Sequence, residues 1–332
     1  MPEKKVGVAV AGLGFVGGGC HVPAYRKVPG AELVAVIDVM EERAKEIAKK
    51  YDIKYYRDFK EAIEDRKIDA IHIAVPTHFH YEIASKAIAS GKHVHCEMPM
   101  TPTVAESEKL RDQAEKARVI LMPDLNFRFT PNYVRAKELI EEGAIGNPLA
   151  VSFSEFIGAK TLAAQWPADS WAWNIEKSGG LPDFTLSVWS IDLVRWLLNS
   201  EIVDAQWIAN YAPLEGLGKF TGYNTVGIIK FSTGAVGALQ YGSTVIPEET
   251  TSKLEVFGNN TKTLRAKSNN SLTLIGEDSK QEWEFKAKGT EVWGHRQIDS
   301  HFVECILKGK KPTVTVEDAI KAQCVAAKIV KK

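Results

Sequence analysis

Apolar runs and amphipathic stretches alternate along the first part of the chain. VGVAVAG (residues 6–12) is a continuous apolar run that ends in glycine, and LVAVIDV (33–39) is a second, followed by the helical stretch EERAKEIAKKY. IDAIHIAVP (68–76) is a third strand candidate, ending at Pro76, and a helix follows through YEIASKAIASG to Gly91. HVHCEM (93–98) is a fourth, AESEKLRDQAEKA (105–117) its helix, and VILMPDL (119–125) a fifth strand. Strands that are apolar throughout are buried on both faces. Their alternation with helices predicts a parallel sheet covered on both sides.

Beyond NYVRAKELIEEGAIGNP (132–148) the pattern changes. Strand candidates follow one another with little helix between them: PLAVSFSEFI, VDAQWIANYA, YNTVGIIKFS, AVGALQYGSTVI, SKLEVFGN, SLTLIG and QEWEFK. Ser-Thr-Gly at 232–234 and Gly-Asn-Asn at 258–260 are turn signals between them. This predicts a large, mainly antiparallel, open-faced sheet. One long helix interrupts it near 182–198, and two helices close the chain near 294–308 and 316–331. The expected organisation is α/β plus α+β, with domains at 1–125 and 126–332 and the last helix free to pack back on the first domain.

Composition narrows the class. The 332 residues are 45% hydrophobic and 25% charged, with 42 Lys plus Arg against 42 Asp plus Glu. A formal charge of zero gives no electrostatic reason to expect nucleic acid or an anionic membrane as partner. Cys20, Cys96, Cys305 and Cys324 form no Cys-x-x-Cys pair, so neither a zinc knuckle nor a redox motif is signalled. The N-terminus lacks a continuous apolar signal segment, and no run reaches the ~18 residues that span a bilayer. A reduced, cytoplasmic protein is expected.

GLGFVG (12–17) is Gly-x-Gly-x-x-Gly. It directly follows a strand, and Asp38 ends the next strand about 20 residues further on, the spacing of a dinucleotide-binding Rossmann fold. Gly12 permits the tight turn, Gly14 lets the backbone approach a pyrophosphate, and Gly17 allows close helix packing. Phe15 and Val16 complete the loop, and the helix N-terminus offers unpaired N–H groups to phosphate. Asp38 would bind the adenosine ribose hydroxyls and repel a 2′-phosphate, which favours NAD(H) over NADP(H), with Arg43 nearby as a counterweight. His21, in HVPAY, either touches substrate or caps the loop.

With these residues the chain resembles the glucose–fructose oxidoreductase, inositol dehydrogenase and rhizopine-catabolism family (Gfo/Idh/MocA) over nearly its full length. GLGFVGGGCHVPAY, AVPTHFHYEIASKAIASGKHVHCEMP, LNFRFTPNYVRAKELIEEGAIGNPL and SGGLPDFTLSVWSIDLVRWLL carry the resemblance, and LEVFGNNTKTL and TVEDAIKA support it. The resemblance implies that Pro76, Thr77 and His80 lie near the cofactor, that Glu97 contacts the nicotinamide ribose with Met98 beside it, and that Asn126 and Arg128 lie near the interdomain cleft. It implies a homodimer or homotetramer joined through the open face of the second sheet. It also implies oxidation or reduction of secondary alcohols and carbonyls on sugars and polyols.

The departures bear on mechanism. The family's Glu-Lys-Pro has Met98 in place of lysine. Its helix motif keeps Asp192, but Trp189 stands at the histidine and Thr185 at the preceding acidic or amide position. Carbonyl reduction needs a proton on oxygen, and a positioned acid contributes about 10²–10⁴-fold. A thioether and an indole cannot supply it. Three readings follow. Another group does the work, with Asp183 the first choice and Glu176, His21 and Tyr223 behind it. Alternatively, a cyclic or conjugated carbonyl substrate needs little help. In the third, the chain is a non-catalytic NAD(H)-binding sensor or regulatory protein. Trp166, Trp171, Trp173 and Trp189 offer flat faces for a small-molecule substrate or, more simply, fill the domain interface.

His72, His78, His80, His93 and His95 crowd one stretch. His93 and His95 share a strand face, with His72 on a neighbouring strand, but no carboxylate or cysteine completes an evident zinc set. No metal is expected. Cys96 reads as a packing residue and KGKKP (308–312) as a solvated loop.

Overall fold

The computed structural model describes residues 5–286, 291 and 293–329. The end of the helix expected over 316–331 lies outside the described residues. The chain divides into two compact units: Met1–Asn126 with Glu176–Gly179 and Gly294–Lys321, and Phe127–Ile175 with Gly180–Trp293 and Ala322–Lys332.

The first unit is built on strands β1 (Val6–Ala11), β2 (Ala31–Ile37), β3 (Lys54–Tyr56), β4 (Ala70–Ile73), β5 (His93–Cys96) and β6 (Leu121–Pro123). They form one parallel sheet in the order β3-β2-β1-β4-β5-β6. The order reverses between β1 and β4, the switch point where such sheets bind ligands at the carboxyl ends of their strands. Every residue of β1 and β4 is buried, as the unbroken apolar runs require. Local signals set the helix ends. Thr103 and Glu106 form a capping box that starts Val104–Ala117, and Arg118 closes it in the left-handed conformation.

The helix His295–Lys308 also belongs to this unit. The expected second domain spans all of 126–332, with only the last helix free to return. The return is made earlier: Val303 and Leu307 cover Gly30, and Phe302 stacks on His95 with ring centroids 5.1 Å apart. An amphipathic helix buries its apolar stripe wherever a complementary surface exists, and sequence distance does not limit that choice.

The second unit carries β7 (Pro148–Gly158), β8 (Ile202–Pro213), β9 (Thr221–Phe231), β10 (Val236–Val245), β11 (Thr251–Gly258), β12 (Thr263–Lys267), β13 (Ser271–Gly276) and β14 (Ser279–Glu284). Their order is β14-β13-β12-β11-β7-β10-β9-β8. The β7–β10 pair is parallel and the other pairs are antiparallel. In β9 burial alternates from Thr225 to Phe231, so one face packs and the other stays open. The helix Pro182–Leu198 is buried along almost all its length, with Phe184, Val188, Ile191, Leu193, Val194 and Leu197 in the core.

Among the described residues no helix is long and apolar enough to cross a membrane, and all four cysteines are free thiols.

Candidate active site

The glycine loop leaves β1 at the switch point. Gly12 has φ +87°, and a side chain there would meet the Ala74 carbonyl oxygen at 2.4 Å. A Cβ on Gly17 would lie 1.9 Å from the Gly12 carbonyl oxygen, so the helix abuts the strand end only because both positions are bare. Gly14 differs, with open space within 4 Å of its Cβ position. Phe15 is exposed and Val16 half-buried along the same rim. Asp38 directly follows β2 and accepts the Leu13 and Met40 N–H groups at 2.8 Å each, which ties the acid to the loop. Arg43 Nη1 lies 3.5 Å from it. An open loop at a helix N-terminus with a carboxylate at the neighbouring strand tip fits a dinucleotide.

The ends of β4 and β5 meet beside this loop. Pro76 and Thr77 begin a short turn, and His80 spans two backbone carbonyls, Val75 O at 2.7 Å and Pro99 O at 3.1 Å. Burial holds the His80 imidazole down to about 4. The ring is thus a brace between the two strand ends. Met98 is buried, and its N–H donates to Glu97 Oε2 at 3.2 Å. Cys96 is fully buried and burial pushes its thiol well up, so it is inert packing. Asn126 is buried, with Nδ2 3.4 Å from His295 Nδ1.

Beneath Glu97 lies a buried polar cluster that the sequence did not reveal. His21 is neither a substrate contact nor a loop cap, the two roles the sequence offered. Its Nδ1 donates to Asp299 at 3.0 Å, and its Nε2 lies 3.0 Å from both Glu97 Oε1 and Asp124 Oδ2. Burial alone would drive this imidazole neutral, but the Asp299, Asp124 and Glu97 carboxylates prevail and hold it protonated well above the usual range. Burial, with Asp124 adding, pushes Glu97 up to about 8 against the pull of His21. Tyr25, His72 and His95 continue the cluster, all buried. His93 stays out of it, accepting the Ile120 N–H at 2.9 Å. The single signal available was the density of histidines; the completing carboxylate and phenol come from distant segments.

In the second unit Asp192 is held by Arg128, with Nε on Oδ2 at 2.7 Å and Nη2 on Oδ1 at 2.5 Å, and Arg195 Nη1 lies 3.4 Å away. The guanidinium of Arg128 is therefore committed to the acid. Thr185 is buried and its Oγ1 has no hydrogen-bond partner, and Trp189 is half-buried on the same helix. Asp183 is fully buried. Its Oδ2 accepts from Tyr211 Oη at 2.7 Å and Thr225 Oγ1 at 2.5 Å, and its Oδ1 accepts the Phe184 N–H at 3.0 Å. Burial raises its pKa against the pull of those donors. Asp183 thus reaches outward only through Tyr211.

Tyr211 lines a cavity of about 280 Å³ with Trp173, Lys219, Leu181, Ala168 and Thr221. Trp173 is fixed edge-on to Phe220 and donates its indole N–H to the Trp166 carbonyl at 3.1 Å. Trp171 packs edge-on against Trp166. Tyr223 is buried in the sheet and Glu176 is exposed within the first unit, so neither joins this cavity.

The strand order, glycine loop and acid-tipped β2 define an NAD-binding Rossmann oxidoreductase joined to an α/β domain. The model of the oxidoreductase family's NAD-binding Rossmann fold matches residues 6–125, and that of its C-terminal α/β domain matches residues 137–332. The chain belongs to the Gfo/Idh/MocA oxidoreductase family, whose members here include inositol and levoglucosan dehydrogenases. It is 31% identical over 326 residues to scyllo-inositol 2-dehydrogenase (NAD(+)) of Bacillus subtilis, covering 96% of this chain and 91% of that one. It is 31% identical over 273 residues to levoglucosan dehydrogenase of Pseudarthrobacter phenanthrenivorans, 71% of this chain and 67% of that one. The crystal structure of a probable dehydrogenase from Thermotoga maritima superimposes with a TM-score of 0.79 at 26% identity, over 97% of this chain and 94% of that one.

Proposed function

We propose that this enzyme uses NAD(H) to oxidise or reduce a hydroxyl or carbonyl on a sugar-, polyol- or cyclic carbonyl-type substrate, and that Tyr211, backed by Asp183, handles the proton. The observation that carries the reading is the Tyr211–Asp183 hydrogen bond of 2.7 Å at the wall of a cavity that also holds Trp173 and Lys219. An indole face and a cation suit the CH face and oxygens of a polyol. Gly12, Gly14, Phe15, Val16 and Gly17 would hold the pyrophosphate and Asp38 the adenosine ribose, its charge favouring NAD over NADP. Pro76, Thr77, His80, Glu97 and Met98 would border the nicotinamide half.

When bound, NAD(H) would supply the hydride chemistry at the substrate carbon. The residues must then move one proton at oxygen. Met98 carries none, and Asp192 is already engaged by Arg128. In the reductive direction Tyr211 Oη gives its proton to the developing alkoxide, and protonated Asp183 replaces it through the same hydrogen bond. Burial raises Asp183, so its protonated form persists to higher pH than an ordinary carboxylate allows. Reductive turnover should therefore fall as pH rises through the Asp183 pKa.

The test is turnover of NAD(+) with scyllo-inositol, myo-inositol and levoglucosan, read as NADH formation, in the wild type, Tyr211→Phe and Asp183→Asn. Both variants should lose about 10²–10⁴-fold in kcat with NADH affinity unchanged, and Asp183→Asn should flatten the pH profile. An unchanged kcat in Tyr211→Phe sinks the proton assignment. Tight NADH binding with no hydride transfer to any polyol or cyclic ketone would instead favour the sensor reading. The exposed apolar face of the second sheet, carrying Ile208, Val226, Ile228 and Val236, supports pairing of two copies there.

A further inference from the structure

The buried cluster in the first unit contains a shell of four donor atoms around one point. Tyr25 comes from the helix after the glycine loop, His72 from β4, His95 from β5 and Asp299 from the helix His295–Lys308. All four side chains are at most 1% exposed. The two imidazole Nδ1 atoms face each other at 3.0 Å, and Tyr25 Oη lies 3.2 Å from each. Asp299 Oδ1 lies 3.3 Å from His95 Nδ1 and 3.8 Å from His72 Nδ1.

These separations, five of the six among the four atoms, average about 3.3 Å. A tetrahedron with that edge has its centre about 2.0 Å from each corner, the length of zinc bonds to histidine nitrogen and carboxylate oxygen. We propose that Tyr25, His72, His95 and Asp299 form a zinc site in the first unit.

The phenol lies between the two nitrogens, 3.2 Å from each. A cation at the centre takes a lone pair from each Nδ1, from Asp299 and from Tyr25 as the phenolate, whose proton leaves on binding. Each imidazole then carries its own proton on Nε2, which has no partner in either ring. The cation also neutralises part of the charge that Asp299 brings, along with Asp124 and Glu97, into the interior. His21 Nδ1 donates to both Asp299 oxygens at 3.0 Å, the kind of support that orients a ligating carboxylate.

Nitrogen and oxygen donors at near-tetrahedral spacing favour zinc among the divalent ions. With four protein ligands and no access to solvent, the role is structural. The ion ties β4 and β5 to two helices that the chain reaches more than 200 residues apart in sequence, at Tyr25 and Asp299.

The test is metal analysis of the full-length chain purified untagged and without chelator, followed by titration of the chelator-stripped protein with zinc chloride against a chromophoric chelator. We expect about one zinc per chain. Tyr25→Phe and Asp299→Asn should each weaken zinc by about 10²-fold or more, with NADH binding used to show that each variant is folded. Chelation should also lower the thermal midpoint of the wild type. The proposal is overturned if the wild type holds less than about a tenth of an equivalent and takes up no added zinc at micromolar free metal. It is equally overturned if both variants bind zinc as the wild type does.

Discussion

Arg128→Met would leave Asp192 charged in the core of the second unit. The pair is bidentate, and the two side chains are 10% and 1% exposed. Removing one partner of a buried ion pair costs about 3–5 kcal/mol, because the other charge stays out of water without compensation. Arg195 remains 3.4 Å from Asp192, but its Nε and Nη2 already donate to Glu201. It relieves only part of the loss, so we expect about 3 kcal/mol. At a urea slope of ~2 kcal/mol/M, the midpoint falls by about 1.5 M. The assay is selective, because all eight tryptophans lie between Trp166 and Trp293, within the second unit. Tryptophan fluorescence in urea therefore follows that unit alone. The double variant Arg128→Met/Asp192→Leu, which removes both charges, should recover most of the midpoint. A shift below about 0.3 M in the single variant would refute the reasoning, since it would mean that Asp192 regains water or sheds its charge at little cost.

Two further outcomes are expected. Burial raises Glu155, on β7, from 4.5 to about 7, so its protonated form is favoured in the fold and its contribution to stability is lost as pH rises from 4.5 to 7. Discounted for its partial exposure, Glu155→Gln should stabilise the second unit by about 2 kcal/mol at pH 8 and by little at pH 4; equal effects at both pH values in tryptophan-monitored urea melts would argue against the assignment. Ile228→Asp, on the open face opposite Ala238 and Gln206, should shift the protein toward monomer in light scattering at micromolar concentration while NADH binding persists. An unchanged mass would place the contact between copies elsewhere.

Much of the first unit is written in local pattern. Unbroken apolar strands, glycines that permit a close turn and an acid at the next strand tip are short-range features, so the loop followed from residues 6–38 and five of the six Rossmann strands from residues 6–125, with the short β3 missed. The residue types at Met98 and Trp189 were legible for the same reason, since a residue type states what protons it carries. Three features depended on the tertiary structure. Asp183 gained its hydrogen-bond partners because β8 and β9 bring Tyr211 and Thr225 onto one of its oxygens. Arg128 moved from substrate candidate to ion-pair partner because it meets Asp192 across the unit. His21, Tyr25, His72 and His95 became one cluster only when the helix His295–Lys308 returned Asp299 to them. Periodicity records which face of an element is buried. It carries no information on which distant element covers that face, and buried polar chemistry is decided by that second choice.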